Sequence, residues 1–254
     1  MLLNEYEIAE NILASKRIKA QNELFIVAKY LRREIGCDVL ETFGMLSSLL
    51  QNSNYNYDLV KSMKYLEDIS KNAANHELKK VEEVIITQNE INKIRELENP
   101  KQERLLFTLL VYAKFNNAVS DNNNNWCNIK IGELYKIAKV STRNAKEKAK
   151  LLNKFKNKEL IAFSKNNTNL NMRCLFVDEC EENIYCQVTD LRELGYQYIA
   201  LSDDSQFIKC VNCGVLIRKK SKKDYSTKYC NTCKEEIKLV QKRNSFAKCE
   251  KAEP

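Results

Sequence analysis

The 254-residue chain carries 42 Lys and Arg against 34 Asp and Glu, a formal net charge of +8, with ten Cys, one His, five Gly and two Pro. That length suits two or three small domains, and the scarcity of Gly and Pro argues for a mainly α chain with small β elements. With His76 the only histidine, no HExxH zinc site or two-histidine iron centre can be assembled in one chain, and the glycines nowhere fall at the spacing of a phosphate-binding loop.

Residues 1–100 read as a helical N-terminal domain. Glu23 to Leu31 has helical spacing and Gly36 can stop it; Val39 to Leu50 is a second apolar run, and Asp58 to Ala74 a third, amphipathic one. Val81 to Thr87 is short and extended, and Glu90 to Leu97 is a further helix closed by Asn99-Pro100. No constellation of chemical groups stands out here.

Residues 101–178 change rhythm. A helix from Glu103 to Phe115 is followed by the Asn-rich loop 120–125, a short extended piece Trp126 to Ile129, and a helix from Ile131 to Ala138. A tight turn at Lys139-Val140 leads to Ser141, read as the N-cap of a long basic helix reaching about Asn157. Residues 160–164 and 171–177 then read as strands of a hairpin turning at 165–169. That order is the order of a winged helix-turn-helix, in which the helix after the turn enters the major groove. Ser141, Thr142, Arg143 and Asn144 would then sit at base edges, Arg143 suited to guanine and Asn144 to adenine, while Lys146, Lys150, Lys154 and Lys165 would hold phosphates.

The charge is not evenly spread. Residues 1–129 are near neutral at −2, 130–173 carry +9, 174–207 carry −7 and 208–254 carry +8. Two basic blocks flanking an acidic connector, 179–206, suit a polyphosphate partner, because neutralised phosphates release condensed counterions. The plainer reading of each block is a solvated lysine face.

The strongest motif lies in the last block. Cys210 and Cys213, then Cys230 and Cys233, form two CxxC pairs at zinc-ribbon spacing, with Gly214 after the first. Four thiolates close a tetrahedral shell, so one structural Zn2+ is expected, holding residues 207–254 as a ribbon with a basic C-terminal helix or tail. Arg218, Lys219, Lys220, Lys222 and Lys223 lie between the ligand pairs and would add phosphate contacts. Cys127, Cys174 and Cys186 fall in expected strands and read as small buried hydrophobes, although Cys174, Cys180 and Cys186 could form a second metal site.

Nothing in the first 16 residues has the character of an export leader, since Glu5, Glu7 and Glu10 occupy it, and no stretch of uncharged apolar residues is long enough to span a membrane. A cytoplasmic location is expected, with cysteines used as metal ligands or buried thiols.

The stretch Arg104 to Phe115, the later Asp190 to Tyr196, and Phe207 to Gly214 with Lys228 to Cys233 resemble a group of uncharacterised phage and prophage proteins of low-GC Gram-positive bacteria, over about residues 24 to 245. The resemblance implies a mobile-element protein in a bacterial host, with replication or transcription control as its setting and no catalytic residues. The reading is therefore a non-enzymatic nucleic-acid-binding protein, for duplex DNA first. Its rivals are a factor that docks on a host replication or transcription protein through the ribbon, and a metal-dependent nuclease using Asp178, Glu179, Glu181 and Glu182.

Overall fold

A computed structural model describes residues 2–18, 20–52, 59–120, 123–164, 171–178, 180, 182–221, 224 and 226–250. It is mainly α with small β: ten α-helices and four small antiparallel sheets among the described residues. Contacts divide the chain into two units, Met1–Glu82 and Glu83–Pro254.

In the first unit, β1 (Leu3–Asn4) leads into α1 (Glu5–Ser15), followed by α2 (Gln21–Tyr30), α3 (Val39–Asn52) and α4 (Leu59–Asn72). β2 (Lys80–Val81) returns to pair with β1. After Tyr30 one wider π turn, Leu31–Ile35, ends at Gly36, whose φ of +81° is the left-handed conformation glycine adopts freely. α3 starts where Asp38 and Glu41 exchange side-chain-to-amide hydrogen bonds, both 2.8 Å, which satisfies two otherwise orphaned N–H groups. Leu24, Val27, Leu31, Leu46 and Leu66 form the core. Inside it Lys29 pairs with Glu5, whose carboxylate also accepts the Lys79 N–H at 2.7 Å.

The second unit is organised around α6 (Pro100–Ser120). Pro100 opens this helix rather than closing the one before it: Asn99 Oδ1 accepts the Gln102 N–H at 3.2 Å, and proline at the first helical position gives up an N–H that has no partner there anyway. Leu105, Leu106, Phe107, Leu109, Leu110 and Val111 are all fully buried. A helix covered on so many sides needs neighbours all round it. It has them in β3 (Val84–Thr87), α5 (Gln88–Arg95), β4 (Trp126–Cys127), α7 (Ile131–Ile137), β6 (Met172–Cys174) and α9 (Leu194–Ala200).

Two of these neighbours differ from the sequence expectation. Residues 84–95, read with the N-terminal helices, stand in the second unit because β3 pairs with β7 (Ile184–Val188) and α5 packs on α6. Residues 179–206, read as an acidic connector, instead supply β7 and α9. A buried polar knot ties β3, α5 and α6 to Asp178, the residue that leads from β6 toward β7. The Glu90 carboxylate, wholly buried, accepts from Lys114 Nζ (3.0 Å), the Thr87 N–H (2.8 Å) and the Asp178 N–H (3.0 Å).

Between α6 and β7 the chain runs β4, α7, a turn, α8 (Ala145–Asn157), β5 (Ile161–Phe163) and β6. The three strands form one antiparallel sheet in the order β4-β6-β5. After α9, β8 (Phe207–Lys209) and β9 (Leu216–Arg218) form a hairpin, and α10 (Asn231–Glu250) ends the described chain. No helix among the described residues is long and apolar enough to cross a membrane.

Candidate metal centre and basic face

The β8–β9 hairpin carries its first cysteine pair at its own bend. Cys210 follows β8, the Gly214 N–H bonds back to Cys210 O at 2.9 Å, and Gly214 takes a φ of +70°, so Cys210 and Cys213 turn their sulfurs the same way. Cys230 and Cys233 lie at the start of α10. All four sulfurs fall within 4.8 Å of one another, and Cys213 Sγ and Cys230 Sγ are 3.7 Å apart. Backbone N–H groups point at sulfur: Cys230 N–H to Cys210 Sγ at 3.3 Å and Cys233 N–H to Cys230 Sγ at 3.4 Å.

Such crowding forces the thiols apart in acidity. Burial pushes Cys210 up, yet the N–H groups of Cys230, Cys213 and Asn212 outweigh it and bring it to about 6. The Asn212 amide pulls Cys233 down, but burial and the three neighbouring sulfurs prevail and push it up to about 12. Four thiolates can share this space only around a cation, so the set fits a metal ion. It is the only cluster among the described residues that does, and the trio Cys174, Cys180 and Cys186 is not one. Cys127 and Cys174 are buried strand residues whose thiols burial pushes up, Cys127 to about 12.

The module is small. Its apolar cluster consists of Cys210, Val215 and Cys233, with Ile217 and Tyr229 partly buried against it. It is fastened to α9 and to the residues just before that helix: Arg192 Nη2 donates to Cys213 O at 2.9 Å, and the Tyr196 and Phe207 rings meet at 5.6 Å. Between the ligand pairs Asp224 organises the loop by accepting from Ser226, Thr227 and the Lys220 N–H, and those donors, the Ser226 hydroxyl foremost, hold its carboxyl far below the usual range. Arg218 donates to Gln206 Oε1 at 2.8 Å, Lys219 is half-buried and Lys220 is exposed. Lys222 and Lys223 lie outside the described residues.

The second basic region is the α7–turn–α8 unit. α7 stops at Ala138, with Lys139 at φ +54°, the Val140 N–H reaching back to Tyr135 O (3.0 Å) and Val140 buried beneath. α8 does not begin at Ser141. Its N-cap is Asn144, whose Oδ1 accepts the Glu147 N–H at 2.9 Å while the Glu147 carboxylate accepts the Arg143 N–H at 2.7 Å. This reciprocal pair satisfies two amides where serine would satisfy one. Ser141, Thr142 and Arg143 therefore form the approach to α8 rather than its first turn.

Arg143, Lys146, Lys150 and Lys154 are exposed and make no ion pair among the described residues. The three lysines, four apart, share one face of α8. Asn144 Oδ1 is already engaged in the cap, so a base contact there would rely on Nδ2. Lys165 lies outside the described residues.

Two contributors have no signature in the sequence. Gly195 sits so close to the end of α7 that a Cβ there would lie 2.0 Å from Ala138 O, and Lys139, against Glu193, holds its ammonium 5.1 Å from the Tyr196 ring centre. α9 thus touches both candidate surfaces, and only its tertiary placement reveals it.

Of the acids after β6, Asp178 is committed to structure. It accepts from the Cys180 N–H (3.1 Å), Asn89 Nδ2 (3.1 Å) and Thr87 Oγ1 (3.2 Å), and these bonds hold it below the ordinary carboxylate range. Glu179 and Glu181 lie outside the described residues.

No protein-family model matches the chain, and comparison with curated proteins and with solved structures finds no significant match.

Proposed function

We propose that the protein binds nucleic acid, duplex DNA in the first place, through a winged helix-turn-helix spanning α6 to β6 and a zinc ribbon formed by β8, β9 and the start of α10. The observation that carries this reading is the row Arg143, Lys146, Lys150 and Lys154, four exposed side chains that make no ion pair among the described residues, at the entrance to and along one helix. A solvated lysine face ordinarily gathers acids at i+3 or i+4; Lys146, Lys150 and Lys154 have none there, and Glu147, four residues after Arg143, spends its carboxylate on the Arg143 N–H in the helix cap. The helix order and the β4-β6-β5 sheet support a winged arrangement in which α8 lies in the groove. The sulfur spacing supports zinc: a tetrahedron with ~2.3 Å Zn–S bonds has edges of about 3.8 Å, against 3.7 Å between Cys213 and Cys230.

In this reading the lysines grip phosphate, Arg143 meets base edges, and the ribbon adds a second weak attachment that raises overall affinity through effective concentration. Four cysteine ligands leave the ion no open position, so its role in this reading is structural, and the reading assigns the protein no catalysis. Control of replication or transcription in a bacterial mobile element is the setting proposed.

Fluorescence anisotropy of metal-loaded protein with labelled duplex DNA across a salt series tests it. Log affinity should fall with log salt by about 0.9 per neutralised phosphate, and Lys146→Ala, Lys150→Ala and Lys154→Ala should each reduce the slope by roughly one contact. Absence of binding at low salt would overturn the reading.

A further inference from the structure

The outward face of the β4-β6-β5 sheet carries none of the residues assigned above to groove binding. Strand register sets Trp126 opposite Arg173 and Arg173 opposite Ala162, so the three share one face. One step along, the Ser164 N–H donates to Asn171 O at 3.0 Å, which continues the register and places Asn128, Asn171 and Ser164 on that same face. The intervening Cys127 and Met172 point inward and are wholly buried.

A polar cup of about 330 Å3 opens here, lined by Asn116, Asn124, Trp126, Asn128, Ser164 and Asn171, with no charged side chain in its wall among the described residues. Some of its amides are structural: Asn116 Nδ2 donates to Trp126 O at 2.9 Å, and Asn124 Oδ1 accepts the Trp126 N–H at 3.2 Å. The side chains of Asn128 and Asn171 have no hydrogen-bond partner among the described residues. Arg173, beside Trp126, is exposed and makes no ion pair among them.

An indole next to amides that each offer a donor and an acceptor, with a guanidinium alongside, matches a flat ring with polar edges and an anionic tail. Nucleotides have that chemistry. Base–aromatic stacking needs an exposed ring face, and a base inside a duplex has none to give.

We propose that this cup takes one unpaired nucleobase, stacked on Trp126, its edge met by Asn128 and Asn171 and its phosphate by Arg173. The proposal deepens the nucleic-acid reading, on which it rests for the strand that delivers the base, by adding an unpaired base to the duplex as substrate. A free nucleotide presents the same chemistry.

Trp126 is the only tryptophan in the chain, so tryptophan fluorescence, excited selectively over the twelve tyrosines, reports on this cup. The metal-loaded full-length protein is titrated with a short labelled single strand, its blunt duplex, and nucleoside monophosphates. Trp quenching is read beside anisotropy, which detects binding anywhere. The single strand should quench saturably, and Asn128→Ala and Asn171→Ala should each weaken single-strand binding about tenfold and leave duplex binding unchanged. Single-strand binding by anisotropy without quenching, and with both variants equal to the parent, overturns the proposal while the nucleic-acid reading stands. If no nucleic acid binds at low salt that reading fails; quenching by monophosphates, lost in the two variants, would then support a free-nucleotide cup, and no quenching would overturn it.

Discussion

The α6 core and the four-cysteine module belong to the same unit and are held by opposite means. Around α6 six consecutive-turn side chains are fully buried against neighbours from both ends of the unit. Each such burial contributes roughly 1.5–3 kcal/mol, so stability is spread over many residues. In the module the three buried residues of the cluster include two of the sulfur ligands, and Val211 is 69% exposed. Little apolar area is available there, so cohesion would rest on the ion that the four cysteines fit. A basic surface on such a module is conditional on metal; the basic face of α8, standing on the α6 core, is not.

The largest effect tests that division. Chelation, or Cys213→Ser, should remove on the order of 10 kcal/mol of metal-linked folding energy from the module. Amide hydrogen exchange should then accelerate across Phe207–Lys209 and Leu216–Arg218 and stay slow in α6. Equal acceleration in both would merge the two regions into one cooperative body. Because metal must displace protons from the thiols, and Cys233 holds its proton most firmly, apparent metal affinity should fall as pH falls.

Damage to the core should be global instead. Phe107→Ala should cost about 3–5 kcal/mol in urea denaturation. Lys114→Met should cost a similar ~3–5 kcal/mol because it leaves the Glu90 carboxylate buried without a counter-charge. Restoration of part of that loss in the double variant with Glu90→Gln would identify the stranded charge as the cause; no restoration would point to lost packing.

A smaller effect probes the joint between the regions. Gly195→Ala drives a methyl into Ala138 O and should cost about 1–3 kcal/mol. Exchange should accelerate in α9 and at the end of α7. A neutral result would mean that α9 can shift without consequence. The smallest concerns the α8 cap: Asn144→Ala should cost about 0.5–2 kcal/mol and Asn144→Asp much less. If Ser141→Ala were the costlier change, the cap assignment would be wrong.

Much of the local structure was legible. α3, α4, α5 and α7 fall close to their expected spans because apolar spacing and caps act within three or four residues. The metal cluster was legible for the same reason: two CxxC turns carry their own geometry, and the chain needs only to bring two such turns together. The start of α8 was misread because Ser141 is a good cap in isolation. The reciprocal bonds of Asn144 and Glu147, only three residues further on, satisfy more N–H groups. Helix ends were obscured by a different habit. Lys16, Lys139 and Glu159 adopt left-handed φ at 54°, 54° and 57°, where a reader looks for glycine.

By itself, then, the sequence determined helices such as α3, α4, α5 and α7, the two basic blocks and the cysteine cluster, all features whose causes lie between near neighbours or in charge count. Only tertiary structure decided that Val84 pairs with Val188, that Glu90, Lys114 and Asp178 share one buried knot, that Gly195 rests on Ala138, and that Trp126, Asn128 and Asn171 face the same cup. Those partners are separated by many residues, and which of several chemically equivalent partners meets which depends on simultaneous packing around α6. No local periodicity carries that information.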